Sequence, residues 1–593
     1  MSDDDKSSAT PPSLSLGWAE LTTPAAWPTL AAALLQYVQP RRWFRSKARR
    51  PGGARVLDVV PLDGPGDIRL ALVEIWYQPA AGEAGADGNG DRNGTGGGEP
   101  IPGDAYVVAL ACVTEERGAP GARAAATSPA VIAICADGVV VDGLASGDAA
   151  DALLAVIRDG RVARGQRGEL HGETSPTLEM LSDGPALAAK VPRVEQTNST
   201  LTFGDQVLLK IYRAVTPGPS PELEVGRFLT ESCDPPCSPR VLGALSYRAD
   251  GTEARVVGIA HELIANEGDA WSVAQRELDE YFARAANLSG ADQEGSAAPS
   301  PVAPVGRFSE LAETLGRRTG ELHLALAGMR AASGHDPWTG AGAAFRPRPL
   351  TTEDRALQAA RVSAMLAENL AALSASAARL SPPAQELARA LLERETARTA
   401  VEVMLARFRD GPLEVMKTRT HGDLHLGQVL ALAHDGLVDD FMIIDFEGEP
   451  ARPLAERRAM SSPIRDVMGM VRSFDYAPEA ALRQRAGNGG GAAGDAHPGE
   501  ALTAAAARWT RQVTGRYLAA YRGMVDDAPF MPRAPEQLSL LLAFYQLEKV
   551  VYELGYEINN RPDWVEIPLR GLARVLGASS HEHDSEGSSG HDR

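Results

Sequence analysis

Residues 421–430 read HGDLHLGQVL and residues 442–450 read MIIDFEGEP. Each is a polar patch set among apolar residues, and their aspartates, Asp423 and Asp445, stand twenty-two positions apart. Alone, HGD suits a turn and IIDF suits the end of a strand. Together, in this order and at this spacing, they fit phosphoryl transfer from ATP. That chemistry needs a carboxylate to receive or orient the attacking hydroxyl, and an acidic ligand to hold Mg2+ against the phosphates. It also needs a neutral oxygen for the metal and a lysine, itself held by a glutamate, on the α- and β-phosphates. Asp423 fits the base. Gln428 follows five positions later, the Asp-to-Asn offset of the kinase pattern H-R-D-x-x-x-x-N, and offers an amide oxygen to Mg2+. Asp445 closes the apolar run FMII, where a strand would hold it firmly enough to be the main Mg2+ ligand.

The lysine should lie upstream. VLLKIYR puts Lys210 in an apolar strand, where a lysine is unexpected unless it is paired or functional. SPELEVGRFLTE follows, with Ser220 as N-cap and Pro221 at the first helical position. Glu224 is the expected partner of Lys210. Glu222 competes for that role but points off the face that Glu224 uses, and both glutamates also suit the positive end of a helix. No glycine-rich loop precedes Lys210. In its place stands EQTNST, 195–200, where backbone N–H groups and the hydroxyls of Thr197, Ser199 and Thr200 could cradle phosphates. This departs from a standard protein kinase and points to a relative of one. In IAHELIANEGDAW, 259–271, adenine is expected to bond the backbone around Glu262 to Ile264.

The whole chain sets the bounds. Its 593 residues exceed one ordinary core, so two or more domains are expected. A formal charge of −19 argues against nucleic acid as a partner. The basic stretch RRWFRSKARR, 41–50, reads as a solvated face. The start, MSDDDKSSAT, lacks the basic and apolar regions of a signal peptide, and no run of eighteen apolar residues occurs, so no membrane association and a cytoplasmic location are expected. Cys112 and Cys135 lie in strand-like runs. Cys233 and Cys237 form CDPPC, which reads as a proline-rich loop because no second Cys/His pair completes a metal site. Alternating and apolar runs (ARVLDVV, IRLALVEIWY, DAYVVALACV, VIAIC, GVVVDGL) make the first half β-rich. From about 308 the periodicity is helical. Glycine-rich or polar segments at 81–100, 286–304, 485–499 and 579–593 read as insertions and a disordered tail.

HGDLHLGQVL, IIDFEGEPARPLAERR and SPIRDVMGMVRSFDYA, with RRWFRSK, EQTNST, LLKIYR and QLEKVVYELGYEINNRPDWVEIPL (546–569), closely resemble the actinobacterial maltokinases, relatives of the aminoglycoside phosphotransferases. The resemblance covers about 20–577. It implies an α+β, protein-kinase-like bilobal fold with a β-rich N-terminal cap domain and a helical C-lobe. The corresponding boundaries are a disordered start at 1–19, a cap at 20–128, an N-lobe at 129–265, a C-lobe at 266–578 and a tail at 579–593. It implies ATP and Mg2+ as cofactors, maltose as substrate, phosphorylation at the anomeric hydroxyl and a place in α-glucan synthesis. Trehalose synthase, beside which relatives work, is the implied partner. Lys549, Tyr552 and Tyr556, spaced i, i+3, i+7, share one helix face, and in the resembling enzymes this segment binds the disaccharide. Without the resemblance, the tyrosines would read as core and Lys549 as the partner of Glu553. His425 is a further candidate to face the acceptor, whereas His421 and Asp466 are expected to brace the catalytic loop. A glucosamine kinase on the same scaffold, or a pseudokinase scaffold, are the alternatives.

Overall fold

A computed structural model describes residues 10–47, 49–64, 67–78, 101–114, 128–147, 149–182, 189–191, 197–291, 304–331, 336–393, 395–450, 452–487 and 499–586. The chain divides into two compact units, Met1–Arg227 with Pro239–Ala265, and Phe228–Ser238 with Asn266–Arg593.

The first unit holds two antiparallel sheets. One runs Pro51–Leu62, Ile68–Tyr77, Ile101–Val113, Gly138–Asp142, Val131–Cys135, with Ala214–Val215 paired beside Ile101–Val113. The other runs Val162–Arg164, Gly168–Thr174, Val241–Ala249, Arg255–Glu262, Val207–Tyr212, Asn198–Phe203, Ala189–Lys190. The first sheet is apolar on both faces because both are covered. Ala71, Val73 and Ile75 share a core with Trp27, Leu30 and Leu34, the i, i+3, i+7 stripe of helix Trp27–Val38. Leu70 and Leu72, pointing the other way, share a core with Leu153, Val156, Leu209 and Ile259. That second core draws on both sheets. The expected division at 128 is therefore displaced, because Val131–Cys135 and Gly138–Asp142 belong to the sheet of residues 51–113. Their apolar side chains complete a sheet that already exists rather than founding another.

The second unit is helical: Ala270–Ala291, Phe308–Leu326, Thr352–Ser376, Pro382–Glu393, Glu395–Asp410, Ile464–Gly487, Glu500–Val525, Pro535–Asn560 and Glu566–Glu586 are its longer helices. Between them lies a hairpin, Val429–His434 with Leu437–Ile443. Its two-residue turn is Asp435–Gly436, both at positive φ (52° and 78°), the Asp-Gly connection whose twist matches paired strands. The helices trim the expected insertions: Ala270–Ala291 takes in the start of 286–304, and Ile464–Gly487 the start of 485–499. The expected tail from 579 is helical to Glu586, where no proline or glycine interrupts residues 578–586. Residues 81–100, 292–303, 488–498 and 587–593 lie outside the described residues. Among the described residues no helix is long and apolar enough to cross a membrane.

Candidate active site

In the first unit, Lys210 lies mid-strand in Val207–Tyr212, paired with Thr200 on one side and Ile259 on the other. Alternation buries Val207, Leu209 and Ile211 and turns Lys210 to the opposite face. Its ammonium meets Glu222, the competing candidate, at 2.7 Å. Helix Pro221–Ser232 thus presents the first acidic residue of its N-terminal turn to the lysine strand. Glu222 is 3% exposed and is also reached by the Tyr212 hydroxyl and, at 3.5 Å, by His261 Nε2. Burial opposes its charge, but Lys210 and His261 overcome this and hold the carboxyl well below its ordinary range.

The hydroxyls of 197–200 divide between two faces. Thr200 pairs with Lys210 and shares its face. Ser199 pairs with Ile211 on the core face, where it accepts from Arg213 Nε at 2.7 Å, and Arg213 is ion-paired with buried Asp142 at 2.7 Å. Strand parity thus takes Ser199 out of the expected phosphate cradle. Thr197 is exposed just before the strand, and 192–196 lie outside the described residues. Near the expected adenine contact, the N–H groups of Glu262 and Leu263 donate to the carbonyls of Arg240 and Gln206, both at 2.9 Å, so neither donor is open to a base. Ile264 follows the end of that strand.

In the second unit, the segment 421–428 is pinned from below. Asp466, 2% exposed, accepts from the backbone N–H of His421 (2.7 Å) and Gly422 (2.9 Å), and His323 Nε2 lies 3.2 Å away. Burial opposes the Asp466 charge, yet His323, His421 and the Gly422 N–H keep its pKa lowered. Gly422 has φ 86°, a conformation costly for other residues. His421 donates through Nε2 to the Ile444 carbonyl at 2.8 Å, tying the first motif to the second, and its Nδ1 accepts from the Asp423 N–H at 3.3 Å. The Ile444 N–H donates to the Gln428 carbonyl at 3.0 Å, so the hairpin brings the Gln428 and Asp445 backbones side by side. Asp445 itself sits at φ 68°, a strained setting of the kind that collects at functional positions. His425 accepts from the Gly427 N–H at 3.0 Å, and burial pushes its pKa down, so the ring is neutral.

Lys549, from helix Pro535–Asn560, reaches this loop. Its ammonium lies 3.5 Å from Asp423 and 2.9 Å from Glu449. The alternative partner, Glu553, is instead bound to Arg472 at 2.8 Å. Burial disfavours the Lys549 charge, but Glu449 and Asp423 more than restore it and raise its pKa. Glu449, 2% exposed, also holds Arg452 and, at 3.4 Å, Arg465; these arginines share Glu548 at 3.4 and 3.3 Å. Burial would raise the Glu449 pKa, but Lys549, Arg465 and Arg452 bring it down to about 2. Tyr552 is half-buried, with Lys549 5.2 Å and Arg452 5.8 Å from its ring centre, and Tyr556 is 46% exposed. Neither tyrosine is a core residue. The network of Glu449, Arg452, Arg465 and Glu548 escaped sequence reading. Its only local sign was the second acidic residue of FEGEP and the arginine before Asp466.

Gln428 and Asp445 fit a magnesium site by donor chemistry: an amide oxygen and a carboxylate on adjoining backbone, both hard oxygen ligands.

Comparison with known proteins gives consistent fold relatives. No family model matches the chain. A glucosamine kinase of Streptacidiphilus jiangxiensis is 29% identical over 156 residues, 26% of this chain and 31% of that protein, so the likeness spans about a third of the relative's length. A solved glucosamine kinase in complex with glucosamine, ADP and inorganic phosphate superposes with TM-score 0.54 at 19% identity, covering 95% of this chain and all of that one. A second crystal form of glucosamine kinase gives TM-score 0.55 at the same identity. The chain therefore has an α+β, kinase-like bilobal fold in which a β-rich N-terminal unit precedes a helical one.

Proposed function

We propose that this protein is an ATP-dependent sugar kinase that phosphorylates the anomeric hydroxyl of maltose. Asp423 accepts the proton as the sugar hydroxyl attacks the γ-phosphorus, and Lys549, 3.5 Å away, orients that carboxylate. Lys210, held by Glu222, neutralises the α- and β-phosphates. Gln428 and Asp445 would hold Mg2+, which when bound screens the charge of the phosphates. Thr197 and Thr200 border the phosphates, and adenine lies by Ile264. Tyr552 and Tyr556 offer aromatic faces to sugar C–H groups, and His425, being neutral, offers a hydrogen bond to an acceptor hydroxyl.

The observation that carries the choice of acceptor is the charge state around Asp423. Glu449 and Glu548 are already taken up by Lys549, Arg452 and Arg465. An ammonium-bearing sugar would need a carboxylate of its own there, and it would meet the Lys549 cation. A neutral sugar meets no such penalty. The second reading, a glucosamine kinase, draws on the fold relatives named above. A panel of sugars with ATP and Mg2+, reading ADP release and the position of phosphate on the product, separates them. Maltose should lead, with phosphate on the anomeric oxygen. Glucosamine outperforming maltose, or phosphate on a 6-hydroxyl, would reject the proposal.

A further inference from the structure

The sequence CDPPC, 233–237, follows helix Pro221–Ser232, and neither cysteine takes part in the site described above. Both thiols are free, 7% and 6% exposed, and their sulfurs share a hydrogen bond at 3.3 Å. A disulfide requires about 2.05 Å between sulfurs, so the pair stands in contact one short step from bonding. The two thiols are not equivalent. The hydrogen bond between the two thiols draws the Cys233 pKa down against the effect of burial, and the Arg330 guanidinium adds to this; the same hydrogen bond and burial push Cys237 up. One sulfur is thus disposed to be the nucleophile and the other to stay protonated beside it, the asymmetry of a reactive and a resolving cysteine. Cys135, by contrast, is pushed up to about 11 by burial and by Asp137.

We propose that Cys233 and Cys237 are a redox-responsive pair that closes to an intramolecular disulfide on exposure to a small hydroperoxide. The Cys233 thiolate attacks the peroxide oxygen, breaking the O–O bond and giving a sulfenic acid and hydroxide. The Cys237 sulfur then attacks the sulfenic sulfur, forming the S–S bond. The displaced hydroxyl leaves as water with the Cys237 proton. The two thiols lose two electrons together and the peroxide gains them. Near-complete burial limits the oxidant to one of peroxide size, because a bulky disulfide cannot reach either sulfur.

The test uses the full chain, exposed to hydrogen peroxide, denatured into an alkylating reagent, and read by intact mass and peptide mapping. The expected result is loss of alkylation at Cys233 and Cys237 together, a mass lower by two hydrogens, and full recovery with dithiothreitol. Cys237→Ser should instead trap a dimedone-reactive Cys233, and Cys233→Ser should leave Cys237 unoxidised at the same dose. Oxidised glutathione should leave both sites alkylatable. Persistent alkylation of Cys233 and Cys237 while Cys112 or Cys135 is lost would overturn the proposal. So would unchanged oxidation of Cys237 in Cys233→Ser, or a glutathione adduct on either sulfur.

Discussion

Asp423 and Glu222 carry different burdens, and their substitutions should separate them. Asp423→Ala is expected to lower sugar-dependent ADP release by about 10²–10⁴-fold, the usual worth of a positioned base, while ATP binding by calorimetry stays near wild type. Retention of full turnover would remove Asp423 from the chemistry. Glu222→Gln should raise the KM for ATP and destabilise the fold by roughly 3 kcal/mol, because it breaks the ion pair that buried Glu222 makes with Lys210. The same residues mark what the sequence could reveal. The turn that carries Asp423 and the strand that leads to Asp445 were legible because their signals lie in local sequence order. Lys210 was legible as a cation in an apolar strand. Glu222 was not, because its approach to Lys210 depends on how a helix meets a strand. Ser199 was misread for a related reason: strand parity assigns its face only once its register against Ile211 is known.

Glu449 also belongs to the residue scale, through pH. Its folded pKa of about 2 lies below the ordinary 4.5, so its contribution is fully present above about 4.5 and is lost as pH falls toward 2. The difference corresponds to about 3 kcal/mol by proton linkage. Urea midpoints for wild type and Glu449→Gln should differ most near neutrality and converge between pH 4.5 and 2. A gap that persists unchanged at pH 2 would show that the three cations around Glu449 matter sterically and not through its charge.

Among the elements, helix Pro535–Asn560 has the most to hold in place, since it delivers Lys549, Tyr552 and Tyr556. It is held by Phe544, fully buried and stacked on Phe408 of helix Glu395–Asp410 at 3.5 Å between ring centres. Phe544→Ala should cost about 3–5 kcal/mol as a core cavity, seen as a lower melting temperature. It should raise the KM for sugar more than the KM for ATP, since the helix carries the groups proposed to face the acceptor; an equal rise in both would mean that the helix holds more than the acceptor. The hairpin between Val429 and Ile443 does the same work for Gln428 and Asp445. The helical periodicity made helix Pro535–Asn560 readable, and the apolar run FMII made the second hairpin strand readable. The link from Lys549 to Glu449, one hundred positions away, was not, because only tertiary packing brings them together.

For the whole molecule, the β-rich first half and helical second half were visible in the alternation and periodicity of the chain, while the division inside the first half was not. The resemblance sets Val131–Cys135 and Gly138–Asp142 at the start of a new domain, yet their sheet partner Ile101–Val113 lies upstream. Strand Val207–Tyr212 runs on through Arg213 into Ala214–Val215, so one length of backbone is stitched into the second sheet and then into the first. Arg213 adds a further stitch, since its carbonyl accepts from the Val107 N–H at 2.9 Å. Such a chain has no seam at which the two sheets can open separately. In native-state hydrogen–deuterium exchange, the amides of Val107 and of Leu209–Ile211 should be released in one cooperative event with one denaturant dependence. A protease acting on partly opened molecules would then find the N-terminal strands and the lysine strand exposed together or not at all.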